Sequence, residues 1–98
     1  MIAQTLNTSE GAIWSPDGKK IVYSRKGAKG ADIFIASSDG SNERRITDDQ
    51  DKNIYNGTPV FSPNGQQLAF YSDDEKVAAL QVIDIDGKDR RTGLGQTK

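Results

Sequence analysis

Trp14-Ser15-Pro16-Asp17-Gly18 returns as Phe61-Ser62-Pro63-Asn64-Gly65, 47 residues further on, and Asp39-Gly40 returns at the same spacing as Asp86-Gly87. A fixed repeat of this length constrains the chain more than any other feature, because each copy must be one supersecondary unit that cannot bury its apolar face alone. No gap is needed between the two landmarks. Ile21-Val22-Tyr23 aligns with Leu68-Ala69-Phe70, and Ile33 and Ile35 align with Leu80 and Val82. The copies share apolar character more than identity. Identical residues are confined to Ser15, Pro16, Gly18, Lys29, Ala31, Asp39, Gly40 and Arg44 with their counterparts, which fits natural divergence better than an engineered consensus.

Each copy reads as four short strands. The first is expected at Ala12 to Trp14, Lys20 to Arg25, Asp32 to Ser37 and Glu43 to Thr47. The second is expected at Pro59 to Phe61, Gln67 to Ser72, Ala79 to Ile85 and Arg90 to Gly93. Ser-Pro-Asp-Gly puts proline where φ near −65° is wanted and glycine where the chain needs positive φ. Asp39-Gly40 and Asp86-Gly87 are expected to form type I′ hairpin turns, which need positive φ at both central residues. Alternation along the strands places Ile21 and Tyr23 opposite Val22, and Ile33 and Ile35 opposite Phe34 and Ala36, so both faces of each sheet are apolar. A sheet covered on both faces by like sheets has that pattern.

Trp-Ser-Pro-Asp-Gly, Lys-Lys-Ile-Val-Tyr-Ser, Asp32-Ile33-Phe34-Ile35, Asp39-Gly40 and Arg44-Arg45-Ile46-Thr47 follow one another in an order that resembles the WD40-like (PD40) repeat of TolB-type β-propellers. The second copy follows it less closely, with Asn64 for aspartate, Leu80-Gln81-Val82 in the third strand and Arg91-Thr92-Gly93 in the last. The resemblance implies an all-β fold of two four-stranded antiparallel β-propeller blades, blade one over about 10–48 and blade two over about 57–95. Two blades alone leave two outer faces bare. The expected remedies are a larger propeller of which this is a section, or a closed ring of identical copies, six blades as a trimer. Gln4-Thr5-Leu6 precedes Trp14 much as Arg45-Ile46-Thr47 precedes Phe61, so residues 1–8 are expected to complete a blade of a neighbouring copy.

Composition removes several function classes. The sequence has no histidine and no cysteine, which denies it a Ser-His-Asp triad, a histidine base, a thiolate nucleophile and His- or Cys-ligated metal. Thirteen Lys plus Arg against fourteen Asp plus Glu supply no basic field for nucleic acid. No apolar run is long enough for a membrane-spanning helix. No nucleophile elbow, phosphate-binding loop or dinucleotide fingerprint is present. Asp49, Asp51 and Asn53 have the opening spacing of a calcium loop, but Ile54 and Val60 stand where glycine and glutamate are required. No enzyme activity, metal or cofactor is therefore expected.

The expected function is that of a non-catalytic module for protein–protein interaction or self-assembly, with a homo-oligomer as first partner and another protein as a second. The expected binding residues are Glu10, Gly11, Tyr55, Asn56 and Thr58, on loops at the mouth of a propeller channel. Trp14 and Phe61, at equivalent places, are assigned to packing between blades. The TolB resemblance implies a protein of the bacterial envelope. Alternative readings are the propeller part of a prolyl-oligopeptidase-type serine hydrolase, whose similar repeats accompany a separate catalytic domain, and an engineered or excised self-assembling unit.

Overall fold

The computed structural model describes residues 11–49 and 51–97. Their strands are β1 (Ile13–Trp14), β2 (Lys20–Lys26), β3 (Ala31–Ser37), β4 (Arg44–Arg45), β5 (Tyr55–Phe61), β6 (Gln67–Asp73), β7 (Val77–Asp84) and β8 (Arg91–Thr97). β1 to β4 form one antiparallel meander, blade one, and β5 to β8 form a second, blade two. The blades meet at a single parallel pair, Ala31 with Tyr55, which joins all eight strands into one hydrogen-bonded sheet. The fold is all-β, and the 47-residue repeat is visible in its register. Phe34 pairs with Arg45 and Ile35 with Arg44, as Gln81 pairs with Thr92 and Val82 with Arg91.

The two Ser-Pro turns close in the same way. Gly18 N–H donates to the Ser15 carbonyl at 2.9 Å, while Asp17 Oδ1 accepts from Ser15 Oγ and from Lys19 N–H. Asn64 Oδ1 accepts from Ser62 Oγ and Gln66 N–H in the second copy, so the amide replaces the carboxylate without loss of a bond. Gly18 and Gly65 sit at φ 74° and 72°, where a β-carbon is strained. The Asp-Gly turns differ from expectation. Gly40 N–H donates to Ser37 and Gly87 N–H to Asp84, and in each Asp-Gly pair only the glycine has positive φ. The hairpin loop is thus one residue longer than a type I′ turn, with its left-handed residue at the glycine.

Cross-strand pairing sorts the side chains into faces. Val22, Ile33, Ile35 and Ile46 of blade one meet Leu68, Phe70 and Ile83 of blade two in one buried cluster, with Phe61 and Ile85 partly buried against it. This is the junction between the blades. Ile21, Tyr23, Phe34 and Ala36 form a second cluster on the outer face of blade one. That face is not bare, because Ile21 and Tyr23 are fully buried. The outer face of blade two is open: Tyr71 is 40% and Leu80 44% exposed, with Val60 beside them at 49%. The expected role of residues 1–8 lies outside the described residues.

Several strand limits also depart from expectation: β7 begins at Val77 and not Ala79, β8 runs on to Thr97 and not Gly93, and two further differences follow from the junction. β5 begins at Tyr55, not Pro59, because its first residues pair with β6 and with Ala31 before a bulge between Gly57 and Val60 interrupts the ladder. β4 shrinks to Arg44–Arg45, since Thr47 turns its hydroxyl to the backbone N–H of Ile33 and to Asp32.

Candidate functional site

The polar residues that the sequence scatters over both copies converge where the blades join. Asp32, 0% exposed at the start of β3, accepts from Thr47 Oγ1 at 2.6 Å and from Asp49 N–H at 2.7 Å. These bonds fix the segment that leaves blade one. Asp49 then presents its carboxylate to blade two, where Arg90 Nη1 lies 2.8 Å from Oδ2 and Asn56 Nδ2 lies 3.0 Å away. Asn56 also donates to the Ala31 carbonyl at 3.0 Å and accepts from Arg90 Nη2 at 3.2 Å. Arg90 stacks 5.3 Å from the Phe70 ring centre and donates through Nε to Gln81. The carboxylate, amide and guanidinium thus tie the last strand's approach in blade two to the exit of blade one.

Burial pushes the Asp49 carboxyl up, but the bonds from Asn56 and Arg90 and the charges of Arg90 and Lys52 outweigh it and hold the group below its ordinary range. Its charge is therefore kept within the fold. Among the described residues no buried side-chain nitrogen or oxygen lacks a hydrogen-bond partner. No group of three or more histidine, cysteine or carboxylate residues gathers to hold a metal among them either. Asp49, first residue of the calcium-like spacing, is turned to Arg90.

A second cluster occupies the outer face of blade one. Tyr23 and Phe34 are stacked with ring centres 6.1 Å apart, and the Arg25 guanidinium lies 4.0 Å over Phe34. Glu43 accepts from Tyr23 Oη and from Arg25 Nη2. Burial and the Glu43 bond push the Tyr23 hydroxyl well above its ordinary pKa. Glu43 is the repeat counterpart of Arg90, and Tyr23 that of Phe70, so the residue that meets this aromatic side chain carries opposite charge in the two blades, Glu43 at the Tyr23 hydroxyl and Arg90 over the Phe70 ring.

Each end of the blade pair also carries an open cleft. One of about 320 Å³ lies between the two Ser-Pro turns, lined by Asp17, Lys20, Pro63 and Asn64. The other, about 410 Å³, lies among the β2–β3 and β6–β7 tips, lined by Lys26, Lys29, Asn53, Tyr55, Asp73 and Glu75.

The expected binding residues are not brought together. Glu10 lies outside the described residues, and Gly11 is exposed just before β1. Tyr55, Asn56 and Thr58 are on strand β5 and not on a loop. Asn56 is fully buried in the junction network, Tyr55 is half-buried at the larger cleft, and Thr58 is exposed at the bulge with φ 48°. Phe61 packs partly buried at the junction. Trp14, at the matching place on blade one, is 51% exposed instead of enclosed between blades. Sequence reasoning missed the Asp49–Asn56–Arg90 group because Arg90 stands 41 and 34 residues from its two partners. The available signal was local: in the first copy Glu43 holds the place that Arg90 holds in the second.

Comparison with known proteins agrees with this geometry. Residues 2–93 match the family described as the dipeptidyl peptidase IV (DPP IV) N-terminal region. Among solved structures, TolB from Agrobacterium tumefaciens is similar, with a TM-score of 0.75 and 27% sequence identity over 90% of this chain. The match spans 34% of that structure's own chain. No curated protein matches.

Proposed function

Because the chain belongs to the family of the dipeptidyl peptidase IV N-terminal region, we propose that it is a non-catalytic β-propeller section that works by binding, first to further propeller surface and through it to a protein partner. The observation that carries this reading is the outer face of blade two. Tyr71 and Leu80 stand 40% and 44% exposed at positions whose counterparts in blade one, Ser24 and Ile33, are fully buried. An exposed sheet face with the chemistry of a covered one is an interaction surface. The charged cluster supports the same reading, since Asp49, Asn56 and Arg90 spend their bonding capacity on one another and hold the two blades as a unit.

The test is the solution mass of the chain by light scattering at micromolar concentration. An oligomer, or a stable complex with a protein partner under the same conditions, is the expected result. A monodisperse monomer that binds no protein would overturn the reading. The name of the family favours one second reading, in which the section belongs to the propeller of a peptidase. In that case a catalytic domain supplied separately would bind the section, and peptidase activity would depend on that domain alone.

A further inference from the structure

Glycine directly follows asparagine at two points in the sequence, Asn56-Gly57 and Asn64-Gly65. An asparagine so placed is chemically labile, because glycine has no β-carbon to keep its nitrogen away from the side-chain amide. That nitrogen loses its proton to water, bonds to Cγ and expels ammonia, leaving a cyclic imide. Water then opens the imide. Attack at Cγ restores the main chain with aspartate in place of asparagine, whereas attack at the α-carbonyl routes the main chain through the β-carbon as isoaspartate. The net reaction takes up one water and releases one ammonia.

The two sites meet opposite conditions. Asn56 is 0% exposed, donates through Nδ2 to the Ala31 carbonyl and the Asp49 carboxylate at 3.0 Å each, and accepts from Arg90 at 3.2 Å. The Tyr55 ring also fills the space that a β-carbon on Gly57 would need. Freeing that amide requires the blades to part. Asn64 is exposed in the turn between β5 and β6. There Gly65 N–H donates to the Ser62 carbonyl at 2.9 Å, and Asn64 Oδ1 accepts from Ser62 Oγ at 2.7 Å and Gln66 N–H at 3.0 Å. Those bonds lie within the turn, so they open as a local event.

We propose that Asn64 is a modification site: it deamidates in the folded protein while Asn56 is protected, and the turn accepts the aspartate that results. Blade one already holds the product state. Asp17, the counterpart of Asn64, accepts from Ser15 Oγ at 2.7 Å and from Lys19 N–H at 3.0 Å, the same pair of bonds that Asn64 accepts. The Ser15 and Lys19 bonds hold the Asp17 carboxyl below its ordinary range, so this turn favours the ionised form. Isoaspartate adds a main-chain atom between Ser62 and Gly65 and disrupts the bond that closes the turn. Asn64 also lines the cleft between the two Ser-Pro turns, together with Asp17, Lys20 and Gln66. Conversion therefore places a carboxylate on both turns and leaves the cleft with net negative charge. The fold decides which of two chemically alike dipeptides is modified, and the new charge appears at one end of the blade pair.

The experiment incubates the folded chain at mildly alkaline pH and follows both sites over time by mass spectrometry, with fragment ions that separate Asn56 from Asn64. Conversion at Asn64 is expected to run at least ~10-fold faster than at Asn56, the ratio that a difference of about 1.4 kcal/mol in opening free energy sets. In guanidinium chloride the two rates are expected to draw together, since both asparagines precede glycine. Equal rates in the folded chain, faster conversion at Asn56, or no conversion at Asn64 while the unfolded chain reacts would each overturn the inference. A ratio that persists in guanidinium chloride overturns it too, because local sequence and not the fold would then set the difference. Asn64→Asp supplies the product directly and is expected to keep the wild-type urea midpoint and circular dichroism, with a more acidic isoelectric point. A lowered midpoint means that the turn rejects the aspartate, which also overturns the inference.

Discussion

Ile33 and Leu80 hold the same position in two copies of one repeat, yet Ile33 is fully buried and Leu80 is 44% exposed. Gly30 and Val77 make a second such pair. A β-carbon on Gly30 would stand 2.1 Å from the Ile54 carbonyl oxygen, because the segment joining the blades crosses over it. Val77, with no such crossing, carries a full side chain that is 42% exposed. Tyr23 with Glu43 and Phe70 with Arg90 make a third pair, one facing outward and the other turned to Asp49 across the junction. Equal backbone positions thus diverge in chemistry where one blade has a neighbour within the chain and the other does not.

The sharpest way to break this comparison is to truncate matched positions. Ile33→Ala is expected to cost about 2–5 kcal/mol, the range for a buried large-to-small change. Leu80→Ala, measured in dilute monomer by urea unfolding, should stay within roughly 0.5 kcal/mol, as for surface sites. Similar losses at the two sites would mean that Leu80 is enclosed within the single chain, against the asymmetry. Gly30→Val should follow with a loss of about 1–3 kcal/mol, because the backbone oxygen of Ile54 cannot move aside like a side chain. The reverse exchange, Val77→Gly, should cost only about 0.5–1 kcal/mol, from backbone entropy in a strand.

The junction network gives a smaller, pH-dependent effect. Asp49→Ala leaves Asn56 and the partly exposed Arg90 without their shared acceptor and should cost about 1–2 kcal/mol near neutrality. The folded Asp49 carboxyl titrates below its unfolded value of about 3.9. Its contribution is therefore present above pH ~4 and is lost as pH falls through the folded value. Acid unfolding followed by tryptophan fluorescence should show a shallower stability loss below pH ~4 in Asp49→Asn than in wild type. Equal slopes would show that other carboxylates govern the acid limb. The smallest effect is expected at Glu43→Gln, which keeps an acceptor for Tyr23 and weakens only a partly exposed ion pair, about 0–1 kcal/mol. Its ultraviolet signature is more telling: the tyrosine titration should move to lower pH once the Glu43 charge is gone.

Much of the fold was legible because turns and repeats are local. Ser15-Pro16-Asp17-Gly18 and its echo set the β1–β2 and β5–β6 hairpins through bonds within six residues, so the sequence carries all of their information. The Asp-Gly hairpins were legible as turns but not as turn types, since the residue left in the left-handed region depends on the register of flanking strands. Tyr55, Asn56 and Thr58 were read as loop because β5 is extended at its start by the pairing of Tyr55 with Ala31 of blade one, a contact between strands of different blades, and carries a bulge between Gly57 and Val60. Trp14 was assigned to packing by analogy with Phe61, but it stands 51% exposed, because blade two packs on the opposite face of blade one.

What the sequence determined by itself is the unit: four strands, their turns, the 47-residue period and the apolar alternation on both faces. These follow from short-range sterics and hydrogen bonding, which act between residues adjacent in the chain. Which face is covered, which charge is shared and which surface stays open were decided by tertiary structure. Asp49, Asn56 and Arg90 meet only after the two blades have packed together, and burial is a property of that packing rather than of any residue in it.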